Sequence, residues 1–239
     1  ERGFMNLLCI DTSGPVCGVA VLRDGQVAYE AAAVNKLTHS VNLMPMVEEA
    51  LNRSGLTVPD IDLYAAVTGP GSFTGVRIGV STVKGMAHGA GKPCVGVDAL
   101  EALAASVCIA DALICPLQDA RAGQVYAAAF RPGMPPVRVL DDTAEKLDAF
   151  LDQAIAVSEG RPLLFTGDGV KPNRTAIEAR LGTRAIFPPA HMGFLRPAAA
   201  AMLAWLRKDQ PLDYLSLMPM YLRAPQAERE RARKLGGQA

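Results

Sequence analysis

The sequence predicts an α/β protein built from two copies of one plan, each reading β-β-β-α-β-α-β-α, over residues 5–109 and 110–215. Three observations carry this. The order of strand-like and helix-like patterns is the same in both stretches. A lone aspartate ends the first strand of each, Asp11 in one and Asp119 in the other. The string Thr68-Gly69-Pro70-Gly71 of the first half is matched by Thr166-Gly167-Asp168-Gly169 in the second. Two such halves facing each other across a pseudo-twofold axis bring both aspartates and both glycine turns to a central cleft.

In the first half, residues 6–10, 18–22 and 26–33 read as short strands, the last two joined by a hairpin turn at Asp24-Gly25. A helix follows over 42–53, with Leu43, Val47, Ala50 and Leu51 at helical spacing. Pro45 fits if that helix starts at Asn42, and otherwise kinks its first turn. Strand 62–68 runs into Gly69-Pro70-Gly71, and Ser72 is a good N-cap for a helix over 73–90. Phe73, Val76, Val80, Val83 and Ala87 give that helix a sheet-facing stripe. Strand 93–97 and helix 100–109 complete the half. The second half repeats the order with strands 112–117, 124–130 and 137–140, helix 144–155, strand 162–166, helix 172–181, strand 184–187 and helix 197–208. Residues 216–239 read as a charged tail. From Arg223 onward it carries Arg229, Arg231, Arg233 and Lys234 against Glu228 and Glu230, which predicts a solvated segment or a short charged helix.

A chain of 239 residues that is 50% hydrophobic can bury one large core or two smaller ones. Its 24 basic and 24 acidic side chains cancel, so no global field draws it to nucleic acid. Cys9, Cys17, Cys94, Cys108 and Cys115 are odd in number and lack CxxC spacing. They predict buried reduced thiols in a cytoplasmic protein and no zinc site. No apolar run approaches the length of a membrane span, and no signal peptide precedes Met5, the expected natural start.

A strand, a tight Gly-Pro-Gly turn and a helix N-terminus present free backbone N–H groups, as in sites that cradle phosphate. The spacing here lacks the lysine of a P-loop and does not fit G-x-G-x-x-G. The alternative is that these glycines serve only the turn and close helix packing. In Asp11-Thr12-Ser13-Gly14-Pro15 the two hydroxyls could reach a phosphate or a metal-bound water. In Asp119-Ala120-Arg121-Ala122-Gly123, alanine and arginine stand where close approach is needed. Asp11, Thr12, Ser13, Gly69, Gly71, Asp119, Gly167 and Gly169 are thus candidates for a degenerate nucleotide cleft. The competing reading is that each aspartate accepts N–H bonds from its own turn. His39, His88 and His191 form no pair at i and i+4, so no metal ligand set is expected. There is no G-x-S-x-G elbow and no cysteine near a histidine in the chain, so no catalytic residue is assigned.

The two helices of the first half carry a different signal. Gly75 and Gly79 lie one turn apart, with Thr82 and Met86 continuing that face, which would let another helix approach closely. Met44 and Met46 add adaptable apolar bulk. The candidate partner surface is Leu43, Met44, Met46, Val47, Phe73, Gly75, Val76, Gly79, Thr82 and Met86, with ordinary core as the competing reading.

Ile10-Asp11-Thr12-Ser13, His39-Ser40, the eleven residues from Gly69 to Gly79, Asp119-Ala120-Arg121 and Val125-Tyr126, in this order, closely resemble the bacterial TsaB family, also called YeaZ. The resemblance is dense over residues 6–103 and 119–126. It departs at Gln124, where relatives usually carry glutamate. It implies the duplicated fold of the actin, Hsp70 and sugar-kinase superfamily. It also implies a non-catalytic subunit that pairs as a heterodimer with the fold relative TsaD, with the ATPase TsaE joining. TsaD would then threonylcarbamoylate the tRNA adenosine beside the anticodon, with tRNA reached through the complex and the partner surface on the helices over 42–53 and 73–90. The residues leave open homodimerisation, weak nucleotide binding without catalysis, and a direct tRNA contact by the tail. The rival class is a stand-alone nucleotide-dependent phosphotransferase or hydrolase, peptidase included, working in the cleft. The missing metal pair and the bulky second turn favour the scaffold.

Overall fold

Strands that are apolar on both faces need helices on both sides of their sheet, and this demand organises the fold. A computed structural model describes residues 5–34, 38–107 and 111–223. The first half contains β1 (Asn6–Asp11), β2 (Cys17–Arg23), β3 (Gln26–Ala33), α1 (His39–Ser54), β4 (Leu63–Gly69), α2 (Phe73–Ala90), β5 (Cys94–Asp98) and α3 (Ala99–Ala105). The second contains β6 (Leu113–Asp119), β7 (Gln124–Arg131), β8 (Val137–Lys146), α4 (Leu147–Val157), β9 (Leu163–Thr166), α5 (Val170–Leu181), β10 (Ala185–Ile186) and α6 (Pro197–Leu206). The sheets run β3-β2-β1-β4-β5 and β8-β7-β6-β9-β10, so the duplication extends to topology. In each, the first three strands are antiparallel and the next two join the first in parallel. This is the duplicated α/β plan that the sequence predicts.

The layers follow from three apolar clusters. One lies between β1–β2–β4 and the inner sides of α1 and α2, with Leu8, Ile10, Val47, Ala50, Val76, Val80 and Val83. A second joins the other sheet to α4 and α5 through Cys115, Phe150, Leu151, Phe165 and Ile177. The third fills the space between the sheets, where α3 and α6 bring Leu100, Leu103, Ala200 and Leu203 against Leu7 and Leu22 on one side and Ile114 and Phe130 on the other. The helices α3 and α6 are exchanged: α6, last in the second half, packs on β1 and β2, while α3 packs on β6 and β7. Gly18 of β2 makes room for it, since a Cβ there would overlap the Pro197 ring.

Some element boundaries depart from expectation. Residues 141–146 extend β8, so that 144–146 do not open α4, because 143–146 pair with 124–127 of β7, and this pairing overrides the helix propensity of Ala144-Glu145-Lys146. Helix α1 begins three residues early, at His39, so Pro45 lies inside it and no N–H of residue 45 reaches the Val41 carbonyl. Residues 216–223, expected to open the charged tail, are docked instead. Leu212 and Cys94 exchange backbone bonds of 2.7 and 2.9 Å, Leu217 is buried, and Met220 N–H donates to Thr68 O at 2.7 Å. Cys9, Cys17, Cys94 and Cys115 are free and buried, whereas Cys108 and the basic residues beyond Arg223 lie outside the described residues. Among the described residues no helix is long and apolar enough to cross a membrane.

Candidate functional site: the cleft and the outer helices

The cleft forms where the C-terminal ends of β1, β4 and β6 meet. Its volume is about 570 Å³, and it is lined by the turns at Ser13–Pro15, Pro70–Thr74 and Gln118–Arg121 together with Tyr126, Asp168 and residues 220–223. Asp11 is 1% exposed, and its Oδ1 accepts from Ser13 N at 2.8 Å and Ser13 Oγ at 2.7 Å. Asp119 Oδ1 accepts from Arg121 N at 2.8 Å. Both carboxylates therefore close their own turns. Burial pushes Asp11 up to about 6 against the two Ser13 bonds, which favour its charged form. Asp168 is also pushed up to about 6, first by desolvation inside the cleft and further by the Asp119 carboxylate. Solvent still reaches this residue at the cleft wall.

The glycines of the cleft are occupied by the protein's own backbone. A Cβ on Gly71 would overlap Ser13 O, and one on Gly75 would overlap Thr12 O. In the second half, a Cβ on Gly167 would overlap Leu117 O, and one on Gly169 would stand 2.9 Å from Gln118 C. A Cβ on Gly69 would stand 2.7 Å from Met220 O. Ser72 N–H donates to Ser13 O at 2.7 Å, and Gly169 N–H to Leu117 O at 3.0 Å. Amides that would otherwise face a phosphate are thus used to weld each glycine turn to the neighbouring aspartate turn. Thr12 Oγ1 donates to Gly75 O at 2.7 Å, and His39 Nε2 lies 2.9 Å from Gly14 O. Arg121 and Ala122 adopt positive φ, 62° and 54°, and fill the second turn.

Three features of the cleft went unseen in sequence. Residues 220–223 form one wall, with Arg223 donating to Ala120 O at 3.0 Å across to the second half. Tyr221 stacks on Phe73 at 5.0 Å, and its hydroxyl accepts from Arg77 Nε at 2.7 Å. Gln118 is 4% exposed, and its buried Oε1 has no protein partner. Only the tertiary path of the chain end could reveal the first two, and only a burial map the third. Gln124, the departure from the family pattern, likewise buries an Oε1 without a partner. Among the described residues no three His, Cys, Asp or Glu come together in a metal-binding group.

The candidate partner residues divide in two. Leu43, Val47, Gly75, Val76 and Gly79 are buried and face the sheet or the Thr12 turn. The expected role of Gly75 and Gly79 in admitting a foreign helix is corrected: a Cβ at Gly79 would stand 2.5 Å from Thr12 Oγ1, so these glycines admit β1's own turn. Met44 is 51% exposed, and Met46, Phe73, Thr82 and Met86 are half-buried. The bare backbone on the outside of α2 belongs instead to Gly85 and Gly89, where an added Cβ would meet nothing within 4 Å.

With this geometry in place, comparison with known proteins decides the family. The family described as TsaD, tRNA N6-adenosine threonylcarbamoyltransferase, matches residues 33–207. The tRNA threonylcarbamoyladenosine biosynthesis protein TsaB of Bacillus subtilis is 36% identical over 226 residues, covering 94% of this chain and 96% of that protein. The chain belongs to the TsaB family. A structure of a Pseudomonas aeruginosa protein with similarity to the peptidase YeaZ superposes with a TM-score of 0.74 at 25% identity, covering 92% of this chain and 100% of the other. A tRNA N6-adenosine threonylcarbamoyltransferase from Sphingopyxis alaskensis is 42% identical over 87 residues, 36% of this chain and 24% of that enzyme. This chain is thus similar to a TsaB protein along nearly its whole length and to a threonylcarbamoyltransferase over 87 residues.

Proposed function

We propose that this chain is the non-catalytic subunit of tRNA threonylcarbamoyladenosine synthesis, pairing with a fold-related threonylcarbamoyltransferase and organising it. The observation that carries the reading is the 36% identity along 94% of the chain to a TsaB protein. The cleft supports it, because the Ser72 and Gly169 amides are already bonded to Ser13 O and Leu117 O and so are not free to cradle a phosphate. An ATPase of the TsaE kind joins the complex and tRNA is reached through it. The partner surface is the outer side of α1 and α2, where Met44 and the open Gly85 and Gly89 face outward. The test is reconstitution. Transferase, ATPase and adenylate-forming enzyme should modify tRNA only when this chain is added, while this chain alone should neither modify tRNA nor hydrolyse ATP. Turnover by the isolated chain that disappears in Asp11→Ala or Asp119→Ala would establish the rival phosphotransferase or hydrolase reading.

A further inference from the structure

We propose that the inner end of the cleft is a binding site for a small primary amine, whose ammonium is held by Asp11, Asp168 and Gln118 and whose alkyl stem lies against the apolar residues around them. The site is separate from the partner surface, and it stands or falls independently of pairing with a transferase.

An inner pocket of about 40 Å³ adjoins the cleft. The two share Ser13, Gly14, Pro15, Gln118 and Asp168 on their walls. Asp11, at the end of β1, and Asp168, just before α5, reach the pocket from opposite halves of the duplication. Among the described residues neither is ion-paired, and neither is Asp119. Arg121 and Arg223 line the cleft but not the inner pocket, whose wall carries no basic residue among those described. His39 favours the Asp11 charge through space, but its Nε2 lies 2.9 Å from Gly14 O. The pocket is therefore acidic and lacks a counter-charge in contact.

Gln118 gives an independent sign of a missing ligand. It is 4% exposed and its Oε1 has no partner, although buried acceptors are nearly always paired. Its Nε2 lies 3.8 Å from where a Cβ on Gly14 would stand, so the amide borders the pocket wall. A half-turn of that amide exchanges nitrogen for oxygen, and a donor in the pocket would then give Oε1 its partner. Two carboxylates and an amide oxygen ask for a positive group with several N–H bonds, and an ammonium has three. Such a cation would also offset the desolvation that pushes Asp11 and Asp168 up to about 6. Size and lining select among cations. The volume holds about three atoms of water size, whereas Mg²⁺ keeps several waters of its own. Val16, Leu103, Phe194 and Leu195 offer a bare inorganic ion no side-chain oxygen, but they suit the methylenes that follow an ammonium.

The test is titration calorimetry of n-butylammonium chloride into the full chain at pH 7.5, above the value of about 6 of both acids. n-Butanol serves as the neutral isostere, and potassium, ammonium and magnesium chlorides as bare-ion controls. Butylammonium should bind at least ten-fold more tightly than n-butanol or any of the three salts. Asp168→Asn and Gln118→Leu should each weaken it about five-fold or more, with a thermal melt taken on both variants. Equal binding of n-butanol would reduce the pocket to an apolar hollow, and equal binding of potassium or ammonium to an inorganic ion site, either of which overturns the amine assignment. It is overturned as well if butylammonium does not bind, or if both variants bind it as the parent does. Should Gln118→Leu melt early, Asp168→Asn decides alone, since solvent reaches that side chain at the cleft wall.

Discussion

Gly79 has Thr12 Oγ1 where its Cβ would stand and Ile10 Cγ2 at 3.6 Å, so a leucine there must push α2 off β1. Overpacking of this kind costs about 1–3 kcal/mol. Gly79→Leu should therefore lower the melting temperature of the isolated chain, whereas Gly85→Leu should leave it unchanged. The contrast is read in paired melts. Asp11 supplies a second residue-scale prediction. Its carboxyl titrates near 6 in the fold against 3.8 as the reference value, so the native state binds more protons than the unfolded chain between those values. Stability from this group is fully present below 3.8 and is lost as the pH rises through about 6. Asp11→Asn keeps an Oδ1 acceptor for Ser13. It should melt above the parent at pH 7.5 and converge with it near pH 4, which melts across that range will show. A variant that never exceeds the parent would mean that the charge itself holds the turn.

Residues 216–223, which sequence reading assigned to a tail, form a structural strap together with 212–215. Leu217 is the side chain that anchors it, and truncating a fully buried leucine costs about 2–5 kcal/mol. Leu217→Ala should therefore lower the melting temperature by several degrees, while removal of residues 224–239, polar and charged by sequence, should leave it unchanged. Differential scanning calorimetry distinguishes the two. The strap was illegible in sequence because its apolar residues, Leu212, Leu215, Leu217 and Met218, have neither a helical nor a strand period. The opposite error occurred at 144–146, where good helix formers were drawn into β8 by pairing with β7. Local propensity is worth tenths of a kcal/mol per residue, less than the ladder of backbone bonds that completes the ten-residue β8.

At the scale of the whole molecule, the exchange of α3 and α6 makes the halves interdependent. Glu30 of β3 accepts from Ala198 N–H at 3.0 Å at the start of α6 and pairs with Arg196, and Arg207 bonds Glu101 of α3 at 2.6 Å. Residues 5–107 expressed alone would lack α6 and expose the inner faces of β1 and β2. They should show no cooperative melt and poor amide dispersion by NMR. Restored cooperativity on adding residues 111–223 in trans would confirm the cause. The same interlocking ties the cleft to the outer helices. Ser72, Gly75 and His39, which begin α2 and α1, all bond the turn at 12–14, so the cleft floor and the proposed partner face share one rigid junction.

The sequence by itself determined the duplication, the order of elements and the family, because period-2 and period-3.6 patterns, turn glycines and a string such as Gly69-Pro70-Gly71-Ser72-Phe73-Thr74-Gly75 are local properties of the chain. It also directed the turns after β1, β4 and β6 toward one cleft, which Ser13, Gly71 and Asp119 line, since strand ends are fixed once the strand order is. It left open what those glycines face. A glycine marks close approach without naming what approaches, and only the tertiary structure decided that Gly71, Gly75 and Gly79 receive the 12–13 turn of β1, and Gly167 and Gly169 the Leu117–Gln118 backbone of β6. The strap and the exchanged α6 belong to the same class, because each is stabilised by burial against residues more than a hundred positions away, and that energy is absent from any local window of sequence.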